Sequence, residues 1–292
     1  MSDLPCVALE STVLSHGLPF PANLTLSETL DRIVRSEGAI PRTIGIISGT
    51  VKTDLNRDEI RLLCQDSGVR KVSIRDLPIV ISRAEHGATT VASTIHLAHR
   101  SGIQVMATGG IGGIHLDAHG QPSMDESADL QTLSQCPVCV VCSGPKAILH
   151  LEATRERLET LGVTVVGWKT DFMTAFYCGS SPFEIDARCD DLDELASIIE
   201  ARDAIGLQQA VVVCNPVPTD HEIPFADVIS CVKRALIHPD AAKLRPAAVT
   251  PYLLDCVRKD VGDAALQANI ALLESNAQLA ARLAKRLAER ST

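Results

Sequence analysis

Aromatic residues are scarce in this chain, with five Phe, two Tyr and one Trp among 292 residues. A surface that stacks successive bases of a single strand needs more of them. Basic residues are outnumbered too: 27 Lys and Arg face 36 Asp and Glu, for a formal net charge of -9. Broad contact with a nucleic-acid backbone draws on clustered cations and is excluded, so any phosphate held here is a small group in a local pocket. No run of about 18 apolar residues occurs, and the opening MSDLPCVALE has neither the basic start nor the apolar core of a signal peptide. A soluble cytoplasmic protein with no membrane partner is expected. With no repeat, low-complexity tract or Pro/Gly-rich linker, a single domain over 1–292 is expected as well.

What is present is core material: 46% of the residues are hydrophobic, and ten are cysteines spread through apolar segments. In a long chain of this kind these read as reduced core thiols. Cys136-Pro-Val-Cys139-Val-Val-Cys142 has a metal-like spacing, but on a strand Cys136 and Cys139 point to opposite faces. Short apolar runs (7–9, 43–47, 78–81, 105–107, 138–142, 163–166 and 210–213) alternate with amphipathic stretches (24–36, 58–63, 89–100, 147–161 and 192–201). This alternation predicts an α/β fold, a three-layer α/β/α sandwich around a mixed, mostly parallel sheet. From Thr250 to Arg290 the spacing is helical, and these helices are expected to pack on the sheet layer.

Ligands in open α/β sheets bind beyond the carboxyl ends of strands, and five places qualify. Val7-Ala-Leu-Glu10-Ser-Thr12 brings a carboxylate to a strand end. Glu10 is a candidate general acid if partly buried, or else a surface glutamate. In Lys71-Val-Ser73-Ile-Arg75-Asp76 the two cations suit an anion, with Asp76 orienting one of them, or form a solvated ion-pair network. Gly87-Ala-Thr89-Thr90-Val91 opens a helix whose amides and Thr90 hydroxyl suit a phosphate. To the same third place belongs Thr108-Gly-Gly-Ile-Gly-Gly113-Ile-His115, after the next strand, which permits close backbone approach without the spacing of a dinucleotide fingerprint, and a lone histidine such as His115 is more often structural.

The fourth place, Met124-Asp125-Glu126-Ser127-Ala-Asp129, sets three carboxylates at a helix entry. They are oxygen ligands for one divalent cation, or first-turn acids that need no metal. The fifth, Cys142-Ser143-Gly144-Pro145-Lys146, ends a buried strand and presents a lysine at a helix start. Helix end and apolar surround would disfavour its ammonium form and free the amine for attack on carbon, unless the side chain merely extends to solvent. Phosphate, a metal and a reactive lysine are indicated; the reaction does not follow from spacing.

The motifs VALESTVLSHGLPFP, KVSIRDLPIV, GATTVAST, ATGGIGGIH, DESADLQTL, VVCSGPKAIL, CNPVP, TPYLL and LQANIALLESNAQLA run in order from residue 7 to about residue 280. In them the chain resembles the pseudouridine-5'-phosphate glycosidase family, also called the indigoidine synthase A-like family. The resemblance implies reversible conversion of pseudouridine 5'-phosphate and water into uracil and ribose 5-phosphate, with one divalent metal, usually Mn2+. It implies Lys146 as the Schiff-base lysine, Glu10 as proton donor and Asp125 as metal ligand. Lys71, Val91, Ser127, Ala128 and Asp129 match substrate-binding positions, beside the helix-start hydroxyl of Thr90. Thr108, His115 and Asn269 match further pocket residues. A homotrimer is implied, and the family also includes natural-product enzymes that join ribose 5-phosphate to other carbon nucleophiles. Ile74, Leu116 and Gly179 depart from the pattern by replacing residues that are usually basic or polar. Such losses are expected to weaken phosphate binding or change the base accepted.

Overall fold

The protein was analysed as a computed structural model, which describes residues 4–185, 187–238, 244 and 246–291. Residues 1–3, part of the opening on which the reading of the amino terminus rests, lie outside them. The strands are β1 (Cys6–Glu10), β2 (Ile40–Ile47), β3 (Thr50–Lys52), β4 (Arg70–Val72), β5 (Gly87–Thr89), β6 (Val105–Ala107), β7 (Ile114–Leu116), β8 (Pro122–Glu126), β9 (Cys139–Cys142), β10 (Thr164–Trp168), β11 (Ala187–Cys189) and β12 (Val211–Cys214). The helices are α1 (Ala22–Ser36), α2 (Arg57–Gln65), α3 (Leu77–Ser82), α4 (Val91–Arg100), α5 (Ala128–Leu133), α6 (Leu151–Thr160), α7 (Leu192–Ala204), α8 (Phe225–Ile237), α9 (Pro246–Val261) and α10 (Asp263–Arg290).

One sheet takes the order β11, β10, β12, β9, β6, β1, β2, β5, β4, with β3 alongside β2, and β7 and β8 form a separate antiparallel pair. Within the large sheet only the pairings of β2 with β3 and with β5 are antiparallel. The predicted mixed, mostly parallel sheet is therefore present. Alternation along the central strands builds two cores. Ala8, Met106, Val140, Cys142 and Val212 face one layer with α4, α5, α6, α8 and α9. Val7, Leu9, Val105, Cys139, Val141 and Val213 face the other, with α1, α7 and α10. Apolar residues on both faces are what a covered parallel sheet requires. Cys136 and Cys139 fall in opposite cores as expected, although Cys136 precedes its strand. All ten cysteines are free thiols.

Three local readings are corrected. The run 78–81 is not a strand but part of α3. Four apolar residues do not separate the two states; here Ser73 and Asp76 form a capping box and Pro78 falls in the first turn of the helix, where proline is favoured. The helix expected from residue 147 begins only at Leu151, capped by His150, whose side chain accepts from the Ala153 amide. Met124 to Glu126 lie on β8 rather than at a helix entry; α5 starts after Ser127.

Helix α10, the tail expected to lie on the sheet, runs on the order of 40 Å and packs against β1, β6 and β9. Half of its buried residues are alanine (Ala265, Ala268, Ala277, Ala280, Ala281 and Ala284), small enough to bring the helix close to the strand ends. Asn276 occupies a fully buried position among those residues.

Candidate active site

Adjacent parallel strands β1, β6 and β9 end side by side, so Glu10, Thr108 and Ser143 emerge together at the carboxyl edge. Thr108 Oγ1 donates to Glu10 Oε1 at 2.5 Å, across 98 residues of sequence. Behind the carboxylate lies a cavity of about 10 Å3 lined by Leu9, Val13, Leu30, Ala107 and Leu273. Burial pushes the Glu10 carboxyl pKa up; the Thr108 hydrogen bond and the charge of Lys146 oppose the shift, Asp129 adds to it and Lys71 opposes it. The Lys71 ammonium is pushed down by crowding against protein and by Lys146, while Glu10 and Asp129 counter this, although the residue as a whole stays exposed. Glu10, Lys71, Lys146 and Asp129 thus form one electrostatic group.

The loop carrying Lys146 is braced from two sides. The Ser143 amide donates to Gly109 O at 3.0 Å, Ile111 to Gly144 O at 3.1 Å, and Lys146 to Ile111 O at 3.1 Å. From the other side the Phe176 amide donates to Ser143 O at 2.7 Å. Phe176 has a φ of +48°, rare for an aromatic residue, and its ring packs on Gly109 and Gly110. Lys146 is half-buried and precedes α6 by five residues, so it does not lie at the expected helix end; the backbone bonds fix the loop that carries it. Gly144 has a φ of +80°, and a Cβ there would sit 2.0 Å from Thr174 O. Gly144→Ala is expected to cost on the order of 3 kcal/mol, lowering the calorimetric Tm by about 5 °C.

The three-carboxylate cation site does not form. Asp129 turns inward, accepting from the Ala92 amide at 2.9 Å and the Gly112 amide at 2.8 Å. It thereby neutralises part of the α4 N-terminus, where a phosphate was expected. Glu126 pairs with Arg157 at 3.1 Å. Among the described residues no group of three or more His, Cys, Asp or Glu is placed to hold a metal. Asp125 remains, with Oδ2 2.8 Å from His115 Nδ1 across β7 and β8 but without hydrogen-bond alignment. Its side chain is 41% exposed, which suits a cation that keeps most of its water and takes one carboxylate.

The other expected positions are spread around this centre. Thr90 caps α4, its hydroxyl 3.4 Å from Ser93 Oγ, and Val91 is buried behind it. Ser127 accepts from the Asp129 amide at 3.2 Å and packs on Gly112, where a Cβ would lie 2.2 Å from its Oγ. Ala128 is exposed at the start of α5. Asn269 is half-buried on α10. Asp76 pairs with Arg70 at 3.3 Å rather than orienting Lys71 or Arg75. Of the departures, Ile74 and Leu116 pack against the core that holds α4, and the Gly179 amide donates to Glu222 Oε1 at 2.9 Å.

Sequence reasoning missed Phe176, Asn215 and Asn276. Asn276 Nδ2 donates to Thr108 O at 2.9 Å and to Ser143 Oγ at 3.1 Å. Asn215 Nδ2 donates to Asn276 Oδ1 at 2.9 Å and to Ser275 Oγ at 3.0 Å. An amide on the buried stripe of an otherwise apolar helix face was the available signal.

A family model described as indigoidine synthase A like protein matches residues 1–286. A pseudouridine-5'-phosphate glycosidase of Geobacillus kaustophilus is 46% identical over 283 residues, 97% of this chain and 93% of that one. The crystal structure of an indigoidine synthase A-like protein from Thermotoga maritima superposes with a TM-score of 0.89 at 33% identity, over 99% of this chain and 94% of the other. The prealnumycin C-glycosynthase AlnA, solved in complex with ribulose 5-phosphate, superposes with a TM-score of 0.91 at 33% identity, over 98% and 93% of the two chains.

Proposed function

The chain belongs to the indigoidine synthase A-like family, and from that premise we propose that it reversibly cleaves the C-glycosidic bond of pseudouridine 5'-phosphate, giving uracil and ribose 5-phosphate through an imine on Lys146. The observation that carries this reading is the meeting of Glu10, held by Thr108, with Lys146 and Lys71 at one sheet edge, in a chain 46% identical to a glycosidase of that name.

A C-glycosidic bond offers no leaving oxygen or nitrogen to protonate, so ring opening is the available route. Glu10 gives its proton to the ribose ring oxygen as the Lys146 amine adds to the anomeric carbon. The proton released by that amine passes through the Glu10 carboxylate. The nitrogen lone pair then forms the imine, the bond to the base breaks, and its electron pair takes that proton to give uracil. Water hydrolyses the imine, releasing ribose 5-phosphate and the free amine. Lys71 supplies positive charge for the phosphate, with the α4 start at Thr90 and Val91 beside it. Incubation with pseudouridine 5'-phosphate and Mn2+, followed by chromatography, is expected to show uracil and ribose 5-phosphate in equal amounts.

We place one divalent cation, Mn2+, on Asp125, with water completing its shell. When bound it supplies positive charge and ordered water near the base. Asp125→Asn is expected to weaken Mn2+ binding at least about tenfold, read directly by electron paramagnetic resonance titration of the free ion. Unchanged affinity would move the metal elsewhere.

The similarity to AlnA and the apolar character of Ile74 and Leu116 favour a second reading, synthesis of a C-glycoside from ribose 5-phosphate and another carbon nucleophile. Its signature is an absence of uracil release while borohydride still traps ribose 5-phosphate on Lys146. A homotrimer is also proposed: Met124, 98% exposed on β8, and Ile79 and Ile81 on α3 are apolar side chains that a subunit contact would cover. Light scattering is expected to give three times the 31.2 kDa chain mass. Free thiols and a phosphorylated substrate support a cytoplasmic location.

A further inference from the structure

The motifs CNPVP and LQANIALLESNAQLA each contain an asparagine that the proposed chemistry leaves without a role, Asn215 and Asn276. They meet at the sheet edge. Asn276 is fully buried, and its amide has a partner on each side. Nδ2 donates to the Thr108 carbonyl at 2.9 Å and to Ser143 Oγ at 3.1 Å, and Oδ1 accepts from Asn215 Nδ2 at 2.9 Å. Asn215 is tied in turn to β9, its amide donating to Cys142 O at 2.8 Å. One side chain on α10 therefore links the residues that follow β6, β9 and β12.

Two of those residues lead to the reacting groups. Thr108 holds the Glu10 carboxylate through its hydroxyl. Ser143 begins the turn that ends at Lys146, and its backbone is fixed by Gly109 and Phe176. Asn276 therefore bridges the residue that holds the Glu10 carboxylate and the first residue of the turn that carries Lys146. An apolar residue here would fill the space, but would take the side-chain donor from the buried Thr108 carbonyl and leave the Asn215 side-chain amide with only its bond to Ser275.

We propose that Asn276, supported by Asn215, is a positioning residue that sets the geometry between Glu10 and Lys146. This rests on the reading of Glu10 and Lys146 as acid and nucleophile. Asn276→Asp is the sharpest test, because it keeps the acceptor for Asn215 and removes both donors. Uracil release from pseudouridine 5'-phosphate with Mn2+ is measured across pH. Competent sites are counted by borohydride trapping of ribose 5-phosphate on Lys146, so that kcat is expressed per competent lysine and misfolded protein drops out.

The expected result is a fall of roughly 10²-fold in kcat per trapped lysine, the scale of an ångström-sized misplacement, with KM within about threefold. The basic limb of kcat should also move to higher pH. The Thr108 hydrogen bond stabilises the Glu10 carboxylate, so loosening it leaves the acid protonated to higher pH. A role confined to stability would leave the normalised kcat unchanged, and Ser143→Ala, which adds no charge, shows whether the limb moves without the repulsion that a new carboxylate exerts on Glu10. If Asn276→Asp does not fold, Ser143→Ala removes one acceptor without adding charge and is read in the same way, with about a tenfold fall expected. Normalised kcat and basic limb both unchanged in the folded variant would overturn the proposal alone. A wild-type enzyme that neither releases uracil nor forms the adduct would overturn the underlying reading, and this inference with it.

Discussion

Lys146→Ala is expected to abolish uracil release, with a loss on the order of 10⁴ or more in kcat, and to leave borohydride no lysine to trap. The size follows from the bond. Without a nitrogen lone pair on the anomeric carbon nothing drives out a carbon leaving group, and the Glu10 proton alone opens the ring to no purpose. Folding should survive the change. The side chain is half-buried and forms no ion pair with the described residues, while the turn is held by backbone bonds through the 143, 144 and 146 positions that alanine keeps. Lys146→Arg should be as inactive, because a guanidinium does not lose its proton near neutral pH. Phosphate affinity, measured by inhibition with ribose 5-phosphate, should change far less than turnover, since Lys71 is untouched. A Lys146→Ala enzyme with wild-type kcat would refute the covalent route.

The sheet was legible because its strands bury both faces. Runs such as 138–142 and 210–213 have no polar residue to lose. Helix α3 was not legible, because a four-residue apolar run that begins at a proline suits either state and the deciding bond is a local cap between Ser73 and Asp76. Glu10 and Lys146 were visible as polar residues closing apolar runs. Their partners were not, since the contacts join residues far apart: 98 positions separate Thr108 from Glu10, and 168 separate Asn276 from Thr108. The acidic segment misled for a related reason. Spacing put Asp125, Glu126 and Asp129 together, whereas strand alternation and two backbone amides, one from the first turn of α4 and one from the glycine loop, sent them three ways. Asn276 carried a readable signal, an amide on a helix face otherwise buried and apolar, but only the fold says what it holds.

Glu10→Gln is expected to lower kcat by about 10² to 10⁴ and to remove the basic limb of the pH profile. Burial raises the Glu10 pKa from the ordinary glutamate value of 4.5, so the acid stays protonated into a range where an exposed glutamate is ionised. As pH climbs through the folded-state pKa the proton donor is lost and turnover falls. The same shift carries a stability consequence of definite sign. Because the folded pKa lies above the unfolded one, the favourable contribution is complete below the unfolded pKa and disappears as pH rises through the folded value. At alkaline pH the native enzyme must hold a carboxylate against an apolar cavity lined by Leu9, Val13 and Leu273, a cost that glutamine, neutral and able to accept from Thr108, does not carry. The variant should therefore melt above wild type at pH 8 to 9, with the gap closing toward pH 4. A mutation that removes most of the activity while stabilising the fold marks a group placed for chemistry rather than for packing. Equal melting temperatures at both pH values would show that burial does not perturb this carboxyl, and its role as the proton donor would then have to be given up.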